Sequence, residues 1–268
     1  MYKYDSGQVI YQTFDDEGML EVLEKGGIRS LHFGSYPRQS SMLINEPNKL
    51  CLSYARAMSS WLLFKEQFGH ALMIGLGGGS LTKHLLHHFP DCRVLAVESR
   101  AAVVKIARSY FGLPLDQRLK VVIDDGANYV RRRTETHEGE FGLIFVDAFD
   151  HIGIAEAVCN IAFFDNCKAL LKPDGILAVN FWGSNKLLFE QIVAWLGKTF
   201  DWQVLFLPVR GKGNVIGFAF NYDSSQHDLK KLRQRAAELE QIYQIEFPDF
   251  LREISKNNQL TFKFFLKS

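Results

Sequence analysis

Residues 71–80 read ALMIGLGGGS, and the meaning of this stretch decides how the rest of the chain is read. Its apolar first half suits a buried strand. Its second half places Gly75, Gly77, Gly78 and Gly79 in five positions and carries no charged residue. A strand that runs into a GxGxG turn and then a helix lets the chain fold back tightly. It also lets a ligand lie against bare backbone, and the helix N-terminus adds unpaired N–H donors. Taken alone, the turn suits a nicotinamide dinucleotide and an adenosyl sulfonium compound equally well.

The pattern downstream narrows the choice. From residue 70 onward apolar runs alternate with amphipathic helical stretches. Strands are expected at 71–75, 93–97, 119–123, 142–146 and 176–181, with helices at about 80–89, 101–111, 155–171 and 186–199. Strict alternation implies a parallel sheet covered by helices on both faces. The end of the pattern differs. Runs at 202–208 and 214–220 are joined by a turn too short for a crossover helix, so this last pair must be antiparallel. A parallel sheet closed by an antiparallel hairpin is the arrangement of adenosylmethionine-dependent transferases. The expected fold is therefore α/β, an adenosylmethionine-methyltransferase-like Rossmann sheet. A charged helix over 226–243 reads as a solvated outer layer, and 260–266 as a late strand.

Residues 8–34 read differently, as strands at 8–14, 19–24 and 28–33, the last two flanking a Lys25, Gly26, Gly27 hairpin signal. They form a small β appendage, assigned to residues 1–47, ahead of a transferase domain over 48–268. A helix is expected at 48–67, where Leu50, Tyr54, Met58, Trp61 and Leu62 recur at helical spacing.

Composition excludes several classes. At 268 residues and 47% hydrophobic, the chain can bury a full core. The 31 basic and 30 acidic side chains balance, so neither a nucleic-acid nor a membrane partner is expected. No window approaches the ~20 apolar residues of a membrane span, and the opening MYKYDSGQVI lacks a signal core. A cytoplasmic setting is the expectation. Cys51, Cys92, Cys159 and Cys167 form no CxxC pair, which argues against a zinc site or a disulfide framework.

Candidate site residues follow from strand ends. Glu98 closes the second strand of the alternating region about twenty residues after the glycines, where an acid can accept both ribose hydroxyls. Asp124, Asp125 and Gly126 close the third; one aspartate is read as a helix N-cap, and similarity to adenosyl-binding transferases implies that an acid at this point faces the adenine. Asp147 and Asp150 follow the fourth, where the reacting part of a ligand lies. Two such carboxylates can divide the work, one taking a proton and one holding a cationic acceptor. Asp150 reads equally as a helix cap. His84, His87 and His88 lack a carboxylate or cysteine to complete a ligand set, so they are read as packing residues and no metal is expected.

These residues together resemble the spermidine synthase family, the polyamine aminopropyltransferases. The similarity runs from the β hairpin to about residue 222 and includes HFGSYPRQSSMLINEPNKLCLSYARAM, residues 32–58, which ordinary methyltransferases lack. The resemblance places Gln39 and Tyr54 in the active site. It matches Glu98 to the ribose-binding acid, Asp125 to the adenine-side Asp-Gly, and Asp147 with Asp150 to the pair in Asp-Ser-Ser-Asp. It implies an adenosyl sulfonium donor, S-adenosylmethionine or its decarboxylated form, an amine or polyamine acceptor, no metal, and a homodimer. The departures are local. The family's loop aspartate falls on Gly78, and the acids ahead of its tyrosine fall on Leu50 and Cys51. Bare loop amides at Gly78 would welcome the carboxylate of the intact donor, so weakened discrimination against that donor is expected. Rival readings are a methyltransferase using S-adenosylmethionine and a nucleotide-binding homologue without chemistry.

Overall fold

The computed structural model describes residues 7–34, 38–148, 156–183, 186–223 and 227–258. Four antiparallel strands come first: β1 (Gln8–Asp15), β2 (Gly18–Lys25), β3 (Ile28–His32) and β4 (Arg38–Leu43), paired in that order. β4 extends the appendage by one strand beyond the sequence reading. Its RQSSML carries little of the β-branched signal that marks a strand.

The main sheet has seven strands: β5 (His70–Ile74), β6 (Arg93–Glu98), β7 (Leu119–Ile123), β8 (Phe141–Val146), β9 (Leu171–Trp182), β10 (Val204–Pro208) and β11 (Asn214–Phe220). Their order is β10-β11-β9-β8-β5-β6-β7, parallel except where β11 runs antiparallel to β9 and β10. The expected closing hairpin is therefore present. The chain leaves β5 toward β6 on one side and reaches β8 on the other, which makes the β5/β8 crevice the topological switch point.

Period-two alternation sorts the strands between two cores. Ala71, Met73, Val94, Ala96, Leu143, Phe145, Ile176 and Ala178 face one layer of helices. That layer holds α1 (Ser53–Met58), α2 (Ser80–His88), α7 (Leu229–Tyr243) and α8 (Phe247–Asn257), joined by part of α3 (Ala101–Tyr110). Leu72, Ile74, Leu95, Val97, Ile144, Val146, Leu177 and Val179 face α4 (Gly126–Thr134), α5 (Ile161–Leu170) and α6 (Lys186–Thr199).

Several expected boundaries shift for identifiable reasons. The helix read over 48–67 is only α1 followed by a 3₁₀ turn at Ser59–Leu63. Ser59 bonds back to the Ala55 carbonyl at 3.4 Å, and such side-chain competition favours a tightened turn. The helix read over 155–171 becomes a 3₁₀ turn at Glu156–Val158 and then α5, which starts where Asn160 caps the Phe163 amide at 2.9 Å. α7 begins after Asp228, which caps Lys230 and Lys231, and it buries Leu232, Ala236 and Leu239 as an inward stripe. α8 was not anticipated, although Phe247, Phe250, Leu251 and Ile254 stand at helical spacing and all are buried. The strand expected at 260–266 lies outside the described residues.

The N-terminal sheet is fastened to the main sheet beside the glycine loop. Leu20, Val22, Leu31 and Met42 pack on Val103, Ile106 and Phe111. Arg100, buried just after β6, donates from Nε to Asp15 Oδ2 at 2.9 Å and from Nη2 to Asp15 Oδ1 at 2.5 Å. Its guanidinium lies 4.8 Å from the centre of the Phe33 ring. Asp15→Ala leaves this buried cation unpaired and should cost about 2–4 kcal/mol, read from urea denaturation; Asp15→Asn should recover part of that loss.

Candidate active site

The site is a row across the carboxyl ends of the parallel strands. Ile74 is in register with Val97 on one side and Val146 on the other, and Val146 with Val179. One residue further along each strand lie Glu98, Gly75, Asp147 and Asn180. Glu98, Asp147 and Asn180 continue the alternation of Ala96, Phe145 and Ala178, so their side chains share the α1 face. β11 runs the other way and brings its first residue, Asn214, to the same end. Gly75 separates the two acids. Its φ is +89°, and a Cβ there would sit 2.3 Å from the Asp147 carbonyl oxygen. Only glycine closes this crossing.

Glu98 is 7% exposed and turned onto the loop. Oε2 accepts from the Leu76 amide at 2.9 Å and the Gly77 amide at 3.4 Å, and Oε1 from the Arg100 amide at 3.0 Å. Burial raises its pKa and these three donors oppose that rise. A carboxylate has about four lone-pair sites, so three bonds leave capacity for a ligand hydroxyl.

Asp147 is half-buried. Asn180 donates to its Oδ1 at 2.9 Å, and the Tyr54 hydroxyl lies beside it while donating to the Gln39 carbonyl at 3.1 Å. Burial pushes the Asp147 carboxyl up to about 6; the Asn180 and Tyr54 hydrogen bonds pull it down and the Glu98 charge adds to the rise. Burial and the same Asp147 charge hold the Tyr54 phenol well above its ordinary value. The segment read from β4 and α1 thus converges on Asp147: Gln39 through its backbone, Tyr54 through its ring.

The glycine loop departs from its reading as a bare N–H cradle. Gly75 donates to the Val97 carbonyl at 2.9 Å, Gly78 to Ser40 Oγ at 2.7 Å and Gly79 to the Leu76 carbonyl at 2.8 Å. With Leu76 and Gly77 on Glu98, each amide from 75 to 79 has an acceptor within the protein. Residues 75–79 therefore offer no free amide to a carboxylate or a pyrophosphate, and Glu98 beside them would repel both. The expected welcome for an intact donor's carboxylate is corrected on this ground. The space beside Gly78 is filled as well. A Cβ there would lie 2.9 Å from Phe111 Cδ1 and 3.0 Å from Ser40 Cβ, so an aspartate at 78 would disrupt packing before it supplied charge.

The other expected residues are distributed as follows. Gly77 and Gly79 hold left-handed φ of +51° and +74°, and Gly79 is the N-cap of α2. Asp125 is the helix cap of its pair, accepting from the Asn128 amide at 2.8 Å, while Asp124 pairs with Arg132. Gly126 opens α4 where a Cβ would meet Ile74 Cγ2 at 2.4 Å. Leu50 is buried in the core and Cys51 gives its carbonyl to Arg56 at 2.8 Å, so no acid stands at either place. Asp150 lies outside the described residues. The His84, His87 and His88 rings pack on one another, and His84 and His88 also on Tyr243; burial pushes His84 down to about 3. Among the described residues no three metal-type ligands come together. Asn180, Asn214, Ser40 and Arg100 escaped the sequence reading. Continuing the alternation Ile176, Ala178, Asn180 would have flagged the first.

Comparison with known proteins gives a consistent result. A family model described as "Spermine/spermidine synthase domain" matches residues 53–201, which includes Tyr54, the glycine loop, Glu98, Asp147 and Asn180. A polyamine aminopropyltransferase of Chromobacterium violaceum is 37% identical over 243 residues, 90% of this chain and 91% of its own. One from Neisseria meningitidis is 36% identical over 239 residues, 88% of this chain and 89% of its own. The crystal structure of a probable spermidine synthase from Corynebacterium glutamicum has a TM-score of 0.72 at 16% identity, covering 85% of this chain and 87% of that one. At that identity the likeness speaks to fold alone.

Asp147 carries a stability consequence with a definite sign. Its folded pKa of about 6 exceeds the ordinary 3.8, so the folded state holds the proton more tightly. Ionised Asp147 therefore destabilises the fold, with the penalty growing as pH rises from about 4 to about 6 and complete above that. Asp147→Asn should stabilise the protein by on the order of 1–3 kcal/mol at pH 7.5, and the gain should vanish near pH 4. Thermal melts across that range would read it.

Proposed function

This chain belongs to the spermine/spermidine synthase family, and from that premise we propose that it transfers an aminopropyl group from decarboxylated S-adenosylmethionine to an amine. The observation that carries the reading is the pair of carboxylates, Glu98 and Asp147, standing either side of Gly75 at the switch point. Two negative groups around a cleft suit a donor with a sulfonium and an ammonium group and no carboxylate. They do not suit a dinucleotide pyrophosphate. The curated relatives named above are polyamine aminopropyltransferases over nine-tenths of the chain, which supports the same donor and acceptor class.

In the proposed reaction the acceptor nitrogen attacks the aminopropyl carbon next to sulfur. The carbon–sulfur bonding pair returns to sulfur, leaving neutral methylthioadenosine. An alkylamine with a pKa near ~10 must first lose a proton, and desolvation in the cleft lowers that barrier. Asp147 takes the proton. At a pKa of about 6 it is largely ionised at neutral pH yet a stronger base than an exposed aspartate. Tyr54 orients the carboxylate, Glu98 holds the ribose, and Gly75, Gly77, Gly78 and Gly79 let the loop that borders the nucleotide close against Asp147, Ser40, Phe111 and Leu113. Asp125 and Gly126 bound the adenine side, and Asp150 belongs to the acceptor side of the same proposal. Homodimer assembly, which the family resemblance implies, and the cytoplasmic residence expected from composition complete it; sedimentation reads the first.

Asp147→Asn should lower turnover by roughly a hundredfold or more while affinity for the neutral product nucleotide, methylthioadenosine, barely moves. In the unmodified protein kcat/KM should rise with pH through about 6 as Asp147 loses its proton. Full activity in the variant would remove Asp147 from the chemistry.

The donor is tested by calorimetry with both nucleotides. The decarboxylated form should bind more tightly than intact S-adenosylmethionine by about 1–3 kcal/mol. Mass spectrometry of the product should show an added aminopropyl group; an added methyl group would replace this reading with methyl transfer.

A further inference from the structure

Asn180 is 1% exposed and both ends of its amide are engaged. Nδ2 donates to Asp147 Oδ1 at 2.9 Å, while Oδ1 accepts from Asn214 Nδ2 at 3.0 Å. A carboxamide has one donor end and one acceptor end. Turned over, Asn180 would present its carbonyl to the Asp147 carboxyl, and two acceptors can face each other at hydrogen-bond distance only if Asp147 carries a proton. The orientation of a buried amide and the protonation of the acid beside it are thus a single equilibrium. Asn214 touches one end of that equilibrium from the neighbouring strand.

We propose that Asn214 is a positioning residue for the transfer reaction: by donating to the Asn180 carbonyl it keeps the Asn180 N–H on Asp147 and so keeps that carboxylate ionised. The proposal rests on Asp147 as the proton acceptor. Antiparallel pairing makes it possible, because only a strand running against β9 brings its first residue to the carboxyl end of the sheet. The register places Ile216 opposite Asn180 and Asn214 opposite Trp182, so Asn214 reaches Asn180 diagonally on the shared face.

The other groups facing Asp147 act separately. Tyr54, from α1, sets its hydroxyl beside the same carboxyl while donating to the Gln39 carbonyl, and Glu98, from β6, repels the Asp147 charge. Among the described residues no hydrogen bond joins either of them to Asn214. Asn214 is itself partly exposed beside the β10–β11 turn, where substitution is tolerated better than at Asn180.

The test reads the Asp147 carboxyl directly, by carbon-13 NMR titration of the free protein labelled at aspartate, with Asp147→Asn identifying the resonance. In Asn214→Leu no donor on β11 holds the Asn180 carbonyl, so Asn180 turns over once Asp147 is protonated, and the titration midpoint should rise from about 6 to about 7. Asn214→Ser, too short to reach Asn180, should do the same and serves if the leucine variant folds poorly. Asn214→Asp should raise it further, because a carboxylate there holds the Asn180 N–H and turns the carbonyl onto Asp147. Part of that rise is direct charge repulsion, so each substitution is repeated in an Asn180→Leu background. There Asn214→Leu should have no effect, and the residual effect of Asn214→Asp measures the charge alone. The acid limb of kcat/KM should follow the NMR midpoints. An unmoved midpoint in Asn214→Leu, or an equal rise without Asn180, overturns the proposal. Moving midpoints in a protein with no turnover would uphold the relay and reject the transferase reading; turnover with unmoved midpoints would do the reverse.

Discussion

The site depends on a carboxylate that faces inward. Glu98 ties the first two amides after Gly75 to the end of β6 and, through the Arg100 amide, to the start of α3. A glycine-rich loop has little intrinsic reason to hold one shape, since its backbone entropy is the largest of any residue. Bonds to a charged acceptor are among the stronger ones available to it. A second side-chain tie is Ser40, which reaches the Gly78 amide from β4. The N-terminal sheet is therefore part of the candidate site: Ser40 holds the loop from one side, and Asp15 steadies Arg100 on the other.

The same carboxylate shapes the chemistry beside it. Asp147 stands across Gly75 from Glu98, and burial with that neighbouring charge lifts its pKa to about 6. Two carboxylates around a cleft destabilise the empty protein and favour a cation between them. Asn180, Tyr54 and the Glu98 tie keep the acids ionised in spite of the repulsion. A cation bound between them relieves that repulsion, which is what the proposed donor would do.

Much of this was legible in the chain. The GxGxG turn, the acid at the end of the following strand and the closing antiparallel pair are local patterns, and each came from residue spacing alone. Leu50, Cys51 and Gly78 were visible as departures from the family pattern. Their consequence was not. An uncharged loop reads as a set of free amides until the acceptors from β4, β6 and the loop itself are in place. Ser40 lies thirty-eight residues from Gly78 and Asn214 thirty-four from Asn180, and no periodicity links either pair. The broken helix at Ser59 and the late start of α5 at Asn160 are similar cases, because side-chain bonds to the backbone overrode a hydrophobic spacing that was read correctly.

The sequence by itself determined the element types, the mixed sheet, the strand ends that carry Glu98 and Asp147, and the family. The first three follow from alternation and glycine placement, which act over a few residues; the family follows from the resemblance of the motifs. Only the tertiary structure decided that the loop amides are already satisfied, that Asp125 caps a helix, and that Asn180 and Asn214 stand in line behind Asp147. The reason is physical. Hydrogen-bond satisfaction and electrostatic repulsion depend on distances across strands, and register sets those distances. A row such as Asn214, Asn180, Asp147, Gly75 and Glu98 exists only once five strands lie side by side.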